Sequence, residues 1–302
     1  MTKISIVIPT YNGAVNIHKQ IKTIIKDCKT GKINNFYELV ISDNCSTDNT
    51  KEIVSNYKTN KFVKINYCNS RTNTGFPSNF LRSIKMATSQ YIFFLTDDNL
   101  PDKEFYKKLY NFFENNDYVN LCIFPLDIVK NFKKRIFGFN ELAYVLMRGS
   151  IMSGMLIEKK KINYKYIVKK GLYPQNGIFV DYYLNYGLKI FNCSEKINCY
   201  SKFSIETKFN DRMQRKKDLA VIDKINSIDV FFQNKKINYF QLFYCYYAIY
   251  FWVFNIKNNL VKAKKKELAK IFFKSTISKN RSWLIYIAIL CSYMRILLKK
   301  NR

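Results

Sequence analysis

Histidine is all but missing from this 302-residue chain, which has only His18, and none of its eight cysteines forms a Cys-x-x-Cys pair. A structural zinc module needs several such ligands at close spacing and is excluded. Glycine (9) and proline (5) are also scarce, which removes collagen-like, linker-like and low-complexity readings. The chain begins with a strand-like run, Lys3 to Ile8, without the basic segment, longer apolar segment and small-residue cleavage site of a secretory signal. A cytosolic protein with reduced thiols is expected. Neither a Walker A loop nor a Gly-x-Gly-x-x-Gly turn occurs, so the phosphates of any bound nucleotide need another counter-charge. A carboxylate-held cation is the candidate.

What is present is apolar and basic. A hydrophobic fraction of 48% suffices for one large domain or two smaller ones, and disorder is excluded. Acids number 22 against 51 Lys and Arg, a formal charge of +29. Such a charge fits nucleic acid, an anionic membrane surface, or a genome that uses Lys freely. Its location is uneven: Lys257 to Arg302 carries thirteen basic residues and one acid, Glu267.

The first hundred residues alternate apolar runs with helical stripes. Strands are expected at Ile4 to Ile8, Leu39 to Ile41, Phe62 to Tyr67 and Tyr91 to Leu95, with helices over Val15 to Ile25, Lys51 to Tyr57 and Pro77 to Ala87. This βαβ order predicts an α/β fold with a mostly parallel, right-handed sheet. Ligands bind beyond the carboxyl ends of such strands. Here those ends carry Pro9-Thr10-Tyr11-Asn12, Ser42-Asp43-Asn44 and Thr96-Asp97-Asp98-Asn99. Further on, short strands are expected near Leu121 to Leu126 and Met155 to Ile157, and helices from about Pro101 and over Val180 to Leu188. The chain is mainly helical beyond Asp211.

Asp97 and Asp98 follow a five-residue apolar run, so a hard divalent cation could bridge one of them to a diphosphate. Taken alone, the same residues also read as an acidic turn capping a helix. Together, Ile8 to Asn12, Val40 to Thr50, Asn73-Thr74-Gly75-Phe76 and Phe94 to Asn99 occur in the order and at the approximate spacing of glycosyltransferase family 2. The chain resembles that family densely over its first hundred residues and more faintly to about residue 209.

The resemblance implies a GT-A fold, a Rossmann-like, mostly parallel sheet flanked by helices, with a helical C-terminal extension. It implies a nucleotide-sugar half over 1–100, an acceptor half over 101–210 and the extension over 211–302. Pro9, Thr10, Tyr11, Asn12, Asp43, Asn73, Asp97 and Asp98 would bind the nucleotide-sugar. Tyr11 would offer a face to the base, Asp43 would accept from its imide, Asp97 would lie near the ribose, and Asp98 would hold Mn²⁺ or Mg²⁺ on the diphosphate. Cys45 stands where the family's Asp-Gly-Ser turn has glycine, and Thr96 stands at the first position of Asp-x-Asp. Asp181 occupies the second place of Glu-Asp-x-x-Leu, with Val180 for the Glu, and would be the catalytic base of an inverting transfer. A plain carboxylate at a helix start is the other reading. Ser153 and Gly154, in Ser150 to Met155, would line the acceptor side, and Lys202 falls where relatives carry an Arg. Arg71 is a better phosphate-side candidate than Arg82, each otherwise a solvated surface cation.

Ile237 to Ile256 is uncharged and half aromatic, long enough as a helix to reach about 30 Å, yet rich in Tyr. Trp283 to Met294 is too short to cross a bilayer. Either both runs lie on an anionic inner membrane surface, with Lys262 to Lys270 touching lipid, or they pack on the catalytic domain. The expected protein is a peripheral enzyme on the inner face of the plasma membrane, moving a sugar from a nucleotide-diphosphate donor, UDP favoured, to a glycan or lipid-linked acceptor in surface polysaccharide or lipopolysaccharide assembly. Transfer to polyprenyl phosphate, a nucleic-acid-binding protein and a non-catalytic scaffold are the rivals. The acidic turns argue against nucleic acid as a partner.

Overall fold

The computed structural model describes residues 2–115, 121–123, 141–149, 152–166, 173–190, 199–200, 212–260, 284–285 and 287–291. The expectations placed on Phe124 to Leu126, Ser150, Ile151, Lys202, Lys262 to Lys270, Trp283 and Met294 lie outside these residues.

Strands β1 (Ile4–Thr10) and β2 (Tyr37–Asp43) are buried at every position, as parallel strands covered on both faces must be. They alternate with α1 (Ala14–Gly31), α2 (Thr50–Asn56), β3 (Lys64–Asn69), α3 (Gly75–Met86) and β4 (Tyr91–Phe94). All pairings among β1 to β4 are parallel, and the register sets Thr10 opposite Asp43 at the carboxyl ends. The strand order β3-β2-β1-β4-β7-β6-β8 makes a seven-stranded sheet. Here β7 (Met155–Glu158) runs antiparallel to both β4 and β6 (Leu121–Ile123), and β8 (Leu188–Ile190) runs parallel to β6. This is the GT-A-like arrangement that the resemblance implied.

Several boundaries differ from expectation: α1 runs past Ile25 to Gly31, and β3 spans Lys64–Asn69 where Phe62 to Tyr67 was expected. The helix placed at about Pro101 begins at Phe105, as α4 (Phe105–Glu114). Leu100–Pro101 is instead a short strand, β5, paired with β9 (Cys199–Tyr200), and Glu104 has φ +62, outside the right-handed helical region. The helix placed at Val180 to Leu188 is α6 (Asn176–Tyr186), so Asp181 lies in its second turn and the helix-start reading of that carboxylate falls. Gly187, at φ +73, ends the helix, and Leu188 enters β8.

The sheet separates two apolar clusters. Ile6, Ile8, Leu39 and Phe93 pack with the buried stripe of α1 and with α4 on one side. Val7, Val40, Phe94 and Ile157 pack with α3, α5 (Glu141–Gly149) and α6 on the other. Helices α7 (Arg212–Gln233) and α8 (Tyr239–Leu260) join this second cluster through Ile228, Phe231, Leu242, Tyr246, Ile249 and Tyr250. Leu284, Ile285 and Ala288 join it too. Much of the aromatic run therefore packs on the domain, while Tyr239, Phe240, Ile287 and Leu290 stay exposed. Among the described residues no helix is long and apolar enough to cross a membrane.

Candidate active site

The parallel registers bring the carboxyl ends of β1, β2 and β4 to one edge of the sheet. Thr10 Oγ1 donates to Asp97 Oδ2 at 2.7 Å. The contact requires Gly13, because a Cβ there would lie 2.3 Å from Thr10 Oγ1 and 3.1 Å from Asp97 Oδ2. Burial pushes the Asp97 carboxyl up to about 6, with the Thr10 hydrogen bond opposing and the Asp98 charge reinforcing. Asp98 itself is exposed, and its Oδ1 accepts from Asn99 Nδ2 at 2.8 Å. Asn99 also donates to Thr96 Oγ1.

Gln20 holds this turn from behind. Its Nε2 donates to the carbonyls of Thr96 (2.9 Å) and Asn99 (2.6 Å), with Asp97 O at 3.4 Å. From the other side Ser153 Oγ accepts from Thr96 N and meets Thr96 Oγ1, both at 2.9 Å. Gly154, at φ +82, donates its N–H to Phe94 O. Ser153 and Gly154 thus abut the base of the Asp97-Asp98 turn.

The β2 end forms a second cluster. Asp43 is buried: its Oδ1 accepts from Ser46 N (2.9 Å) and Ser46 Oγ (2.6 Å), its Oδ2 from the Tyr67 hydroxyl (2.7 Å). Cys45 takes φ +68, the conformation a glycine would supply, and its Sγ reaches Arg71 O at 3.5 Å. The turn therefore forms without glycine. Asn12, at φ +54, ties this loop to β1: its N–H donates to Ser46 Oγ and its Oδ1 accepts from Thr47 N. Asn73 Oδ1 accepts from Asn44 Nδ2 and Gly75 N. Pro9 pairs with Ser42 within the sheet, while Tyr11 is 48% exposed at the rim.

Arg82 is not a solvated cation. Its Nε donates to Ser42 Oγ (2.8 Å), and Nη2 donates to Asp43 O and Asn79 Oδ1 (both 2.7 Å), bracing the end of β2. The Arg71 residue is exposed.

Among the described residues the Asp181 side chain bonds to none of these loops. It is 2% exposed, and its Oδ1 pairs with Lys236 Nζ at 2.9 Å. Its helix reaches the site through Phe179, whose ring meets Phe94 edge-on at 5.2 Å.

Among the described residues no three His, Cys, Asp or Glu side chains converge on one point. The donor set still fits a magnesium- or manganese-type ion, for which one carboxylate suffices when a diphosphate and water supply the other oxygens. Asp98 keeps a carboxylate oxygen beyond its bond to Asn99, and the like charge that raises Asp97 is one a cation relieves.

Sequence reasoning missed Gln20, Ser46, Tyr67 and Lys236 and misplaced Arg82. Gln20 did leave a signal, a polar residue inside the buried stripe Ile17, Ile21, Ile24 of α1. Tyr67 and Lys236 reach partners 24 and 55 positions away, whereas Ser46 bonds Asp43 within one turn of chain.

The family model described as glycosyl transferase family 2 matches residues 5–174, more than half of the chain. Among curated proteins, the poly(ribitol-phosphate) beta-N-acetylglucosaminyltransferase TarP of Staphylococcus aureus is 31% identical over 120 residues, 39% of this chain and 35% of that protein. The abequosyltransferase RfbV of Salmonella typhimurium is 30% identical over 119 residues, with the same shares. The matches therefore span about a third of these relatives' length. The crystal structure of S. aureus TarS residues 1–349 with UDP superposes with a TM-score of 0.60 at 17% identity, over 97% of this chain and 89% of that one, a likeness of fold. The chain belongs to glycosyl transferase family 2.

Proposed function

We propose that the protein transfers a sugar from a UDP-sugar to a hydroxyl of a glycan or lipid-linked acceptor, with inversion, in the assembly of a cell-surface polysaccharide. The observation that carries this reading is the convergence of Thr10, Asp43 and the Asp97-Asp98 turn on one sheet edge, with Ser153 against the turn, in a chain of this family. UDP is favoured because TarS, whose fold the chain shares, has been crystallised with UDP and with UDP-GlcNAc.

In this reading residues 1–100 bind the donor and 101–210 the acceptor. Tyr11 stacks on the base, and Asp43, oriented by Ser46 and Tyr67, accepts from its imide. Asp97 lies near the ribose, and Asn12 and Asn73 shape the pocket through their loop bonds. Asp98 holds the Mn²⁺ or Mg²⁺, which when bound offsets the charge of the leaving diphosphate. Asp181 takes the proton of the acceptor hydroxyl as its oxygen bonds to the anomeric carbon; the bond from that carbon to the diphosphate breaks, and its electron pair leaves with UDP. The extension over 211–302 sets Tyr239, Phe240, Ile287 and Leu290 against the anionic inner membrane surface, a contact favoured by the thirteen basic residues from Lys257 onward.

Two variants test the roles. Asp98→Ala abolishes Mn²⁺-dependent UDP binding in calorimetry, whereas Asp181→Asn binds UDP as the natural protein does and loses transfer. The reverse pattern would sink the assignment.

A further inference from the structure

The turn that joins α7 to α8 is fixed at both of its ends. Lys236 N donates to Phe231 O (2.9 Å) and Lys235 N to Phe232 O (3.0 Å), the paired bonds of a Schellman motif, with Lys235 at φ +55 in the left-handed position. Directly afterwards, Asn238 N donates to Gln241 Oε1 (3.0 Å) and Gln241 N to Asn238 Oδ1 (2.9 Å), a reciprocal capping box that starts α8. Ile237 is buried between the two motifs. Lys236 therefore projects from a braced backbone, not from a loose loop.

Its ammonium lies 2.9 Å from Asp181 Oδ1 and 5.1 Å from the centre of the Tyr166 ring. The Asp181 hydrogen bond, and then its charge, raise the Lys236 ammonium above the usual lysine range despite partial burial. Asp181 Oδ2 has no protein partner among the described residues. The other charged groups brought near α6 include Glu141 of α5, which accepts from the Tyr183 hydroxyl, Lys161, 4.8 Å from the Tyr186 ring centre and paired with Glu158, Lys165, 5.9 Å from the Tyr166 ring centre, and Lys224 of α7, over Tyr173 beside Asp223.

We propose that Lys236 is a positioning residue for Asp181: the braced turn presents its ammonium to Oδ1, which fixes the carboxylate and leaves Oδ2 to take the acceptor proton. The inference rests on the reading of Asp181 as the base. It makes the C-terminal extension a contributor to the active site, because the cation that orients the base arises from the segment between α7 and α8.

The test is the hydrolysis of UDP-N-acetylglucosamine and UDP-glucose with Mn²⁺, water standing in for the acceptor, alongside UDP binding by calorimetry. Lys236→Met is expected to lower kcat by about 10- to 100-fold, with KM and UDP affinity unchanged. Lys236→Arg returns kcat to within about threefold, and Lys235→Gly, which keeps the left-handed turn, stays at the natural rate. Lys236→Gln replaces the Met variant if that one fails to fold. If Asp181→Asn is inert while Lys236→Met and Lys236→Gln keep the natural kcat, the inference fails and the base reading stands. If Asp181→Asn hydrolyses the donor at the natural rate, or the natural protein hydrolyses neither donor, the base reading fails and takes the inference with it.

Discussion

Asp48 shows how much one carboxylate can organise. Its Oδ2 accepts from Ala14 N (3.0 Å) at the start of α1, and its Oδ1 accepts from Thr50 N (3.1 Å) and Thr50 Oγ1 (2.5 Å) at the start of α2. Partial burial raises its pKa, but the bonds from Thr50 and Ala14 outweigh it and hold the carboxyl below the usual range. A depressed carboxylate contributes stability that is complete above its unfolded pKa and is lost as pH falls through the folded value. Asp48→Ala should therefore lower the unfolding free energy by about 1–2 kcal/mol in urea at pH 7, and the gap should close at strongly acidic pH. Lys224 has the opposite sign. It is 1% exposed, 3.8 Å from the centre of the Tyr173 ring, and burial lowers its ammonium to about 7 against the opposing charge of Asp223. Unfolded lysine keeps its proton to about pH 10.4, so between about 7 and 10 the native chain binds fewer protons and stability rises with pH. Lys224→Met should flatten that slope in denaturation measured across the range.

Among the elements, α1 does more than cover the sheet, since Gln20 on its buried face holds the carbonyls of the Asp97-Asp98 turn. Gln20→Met keeps the volume and loses those bonds. It is expected to weaken Mn²⁺-dependent UDP binding by about tenfold, with a melting temperature within a few degrees of the natural protein, read by calorimetry and thermal melts. The strands β1, β2 and β4 were legible because their buried centres are short apolar runs, Ile6 to Ile8, Leu39 to Ile41 and Tyr91 to Phe94, although Ser5 and Glu38 are buried beside them. The site loops were legible because polar turn formers end those runs abruptly. The start of α6 was not: Pro174-Gln175-Asn176-Gly177 reads as a turn. Glycine lies inside the helix because a Cβ at Gly177 would fall 2.1 Å from Tyr166 O, a close approach that local propensity cannot announce. The tie from Asp48 to Ala14 and that from Lys236 to Asp181 were illegible for a related reason, since those partners lie 34 and 55 positions away.

For the molecule as a whole, donor binding should appear as stability. A ligand at about a hundred times its dissociation constant adds about 2.7 kcal/mol to the native state, so UDP with Mn²⁺ should raise the melting midpoint by a few degrees and UDP with a chelator by less. A midpoint insensitive to UDP would count against the donor assignment. The burial of α5 and α6 has a different kind of consequence. Leu142 to Met147 and Asn176 to Tyr182 are buried without a break, so each helix is apolar or enclosed all round and needs α7 and α8 as well as the sheet to cover it. During synthesis at roughly 5–20 residues per second, α8 follows α6 by several seconds. Throughout that interval the nascent chain carries an uncovered apolar face, so chains stalled or cut before α8 become substrates for chaperones and proteases instead of smaller enzymes.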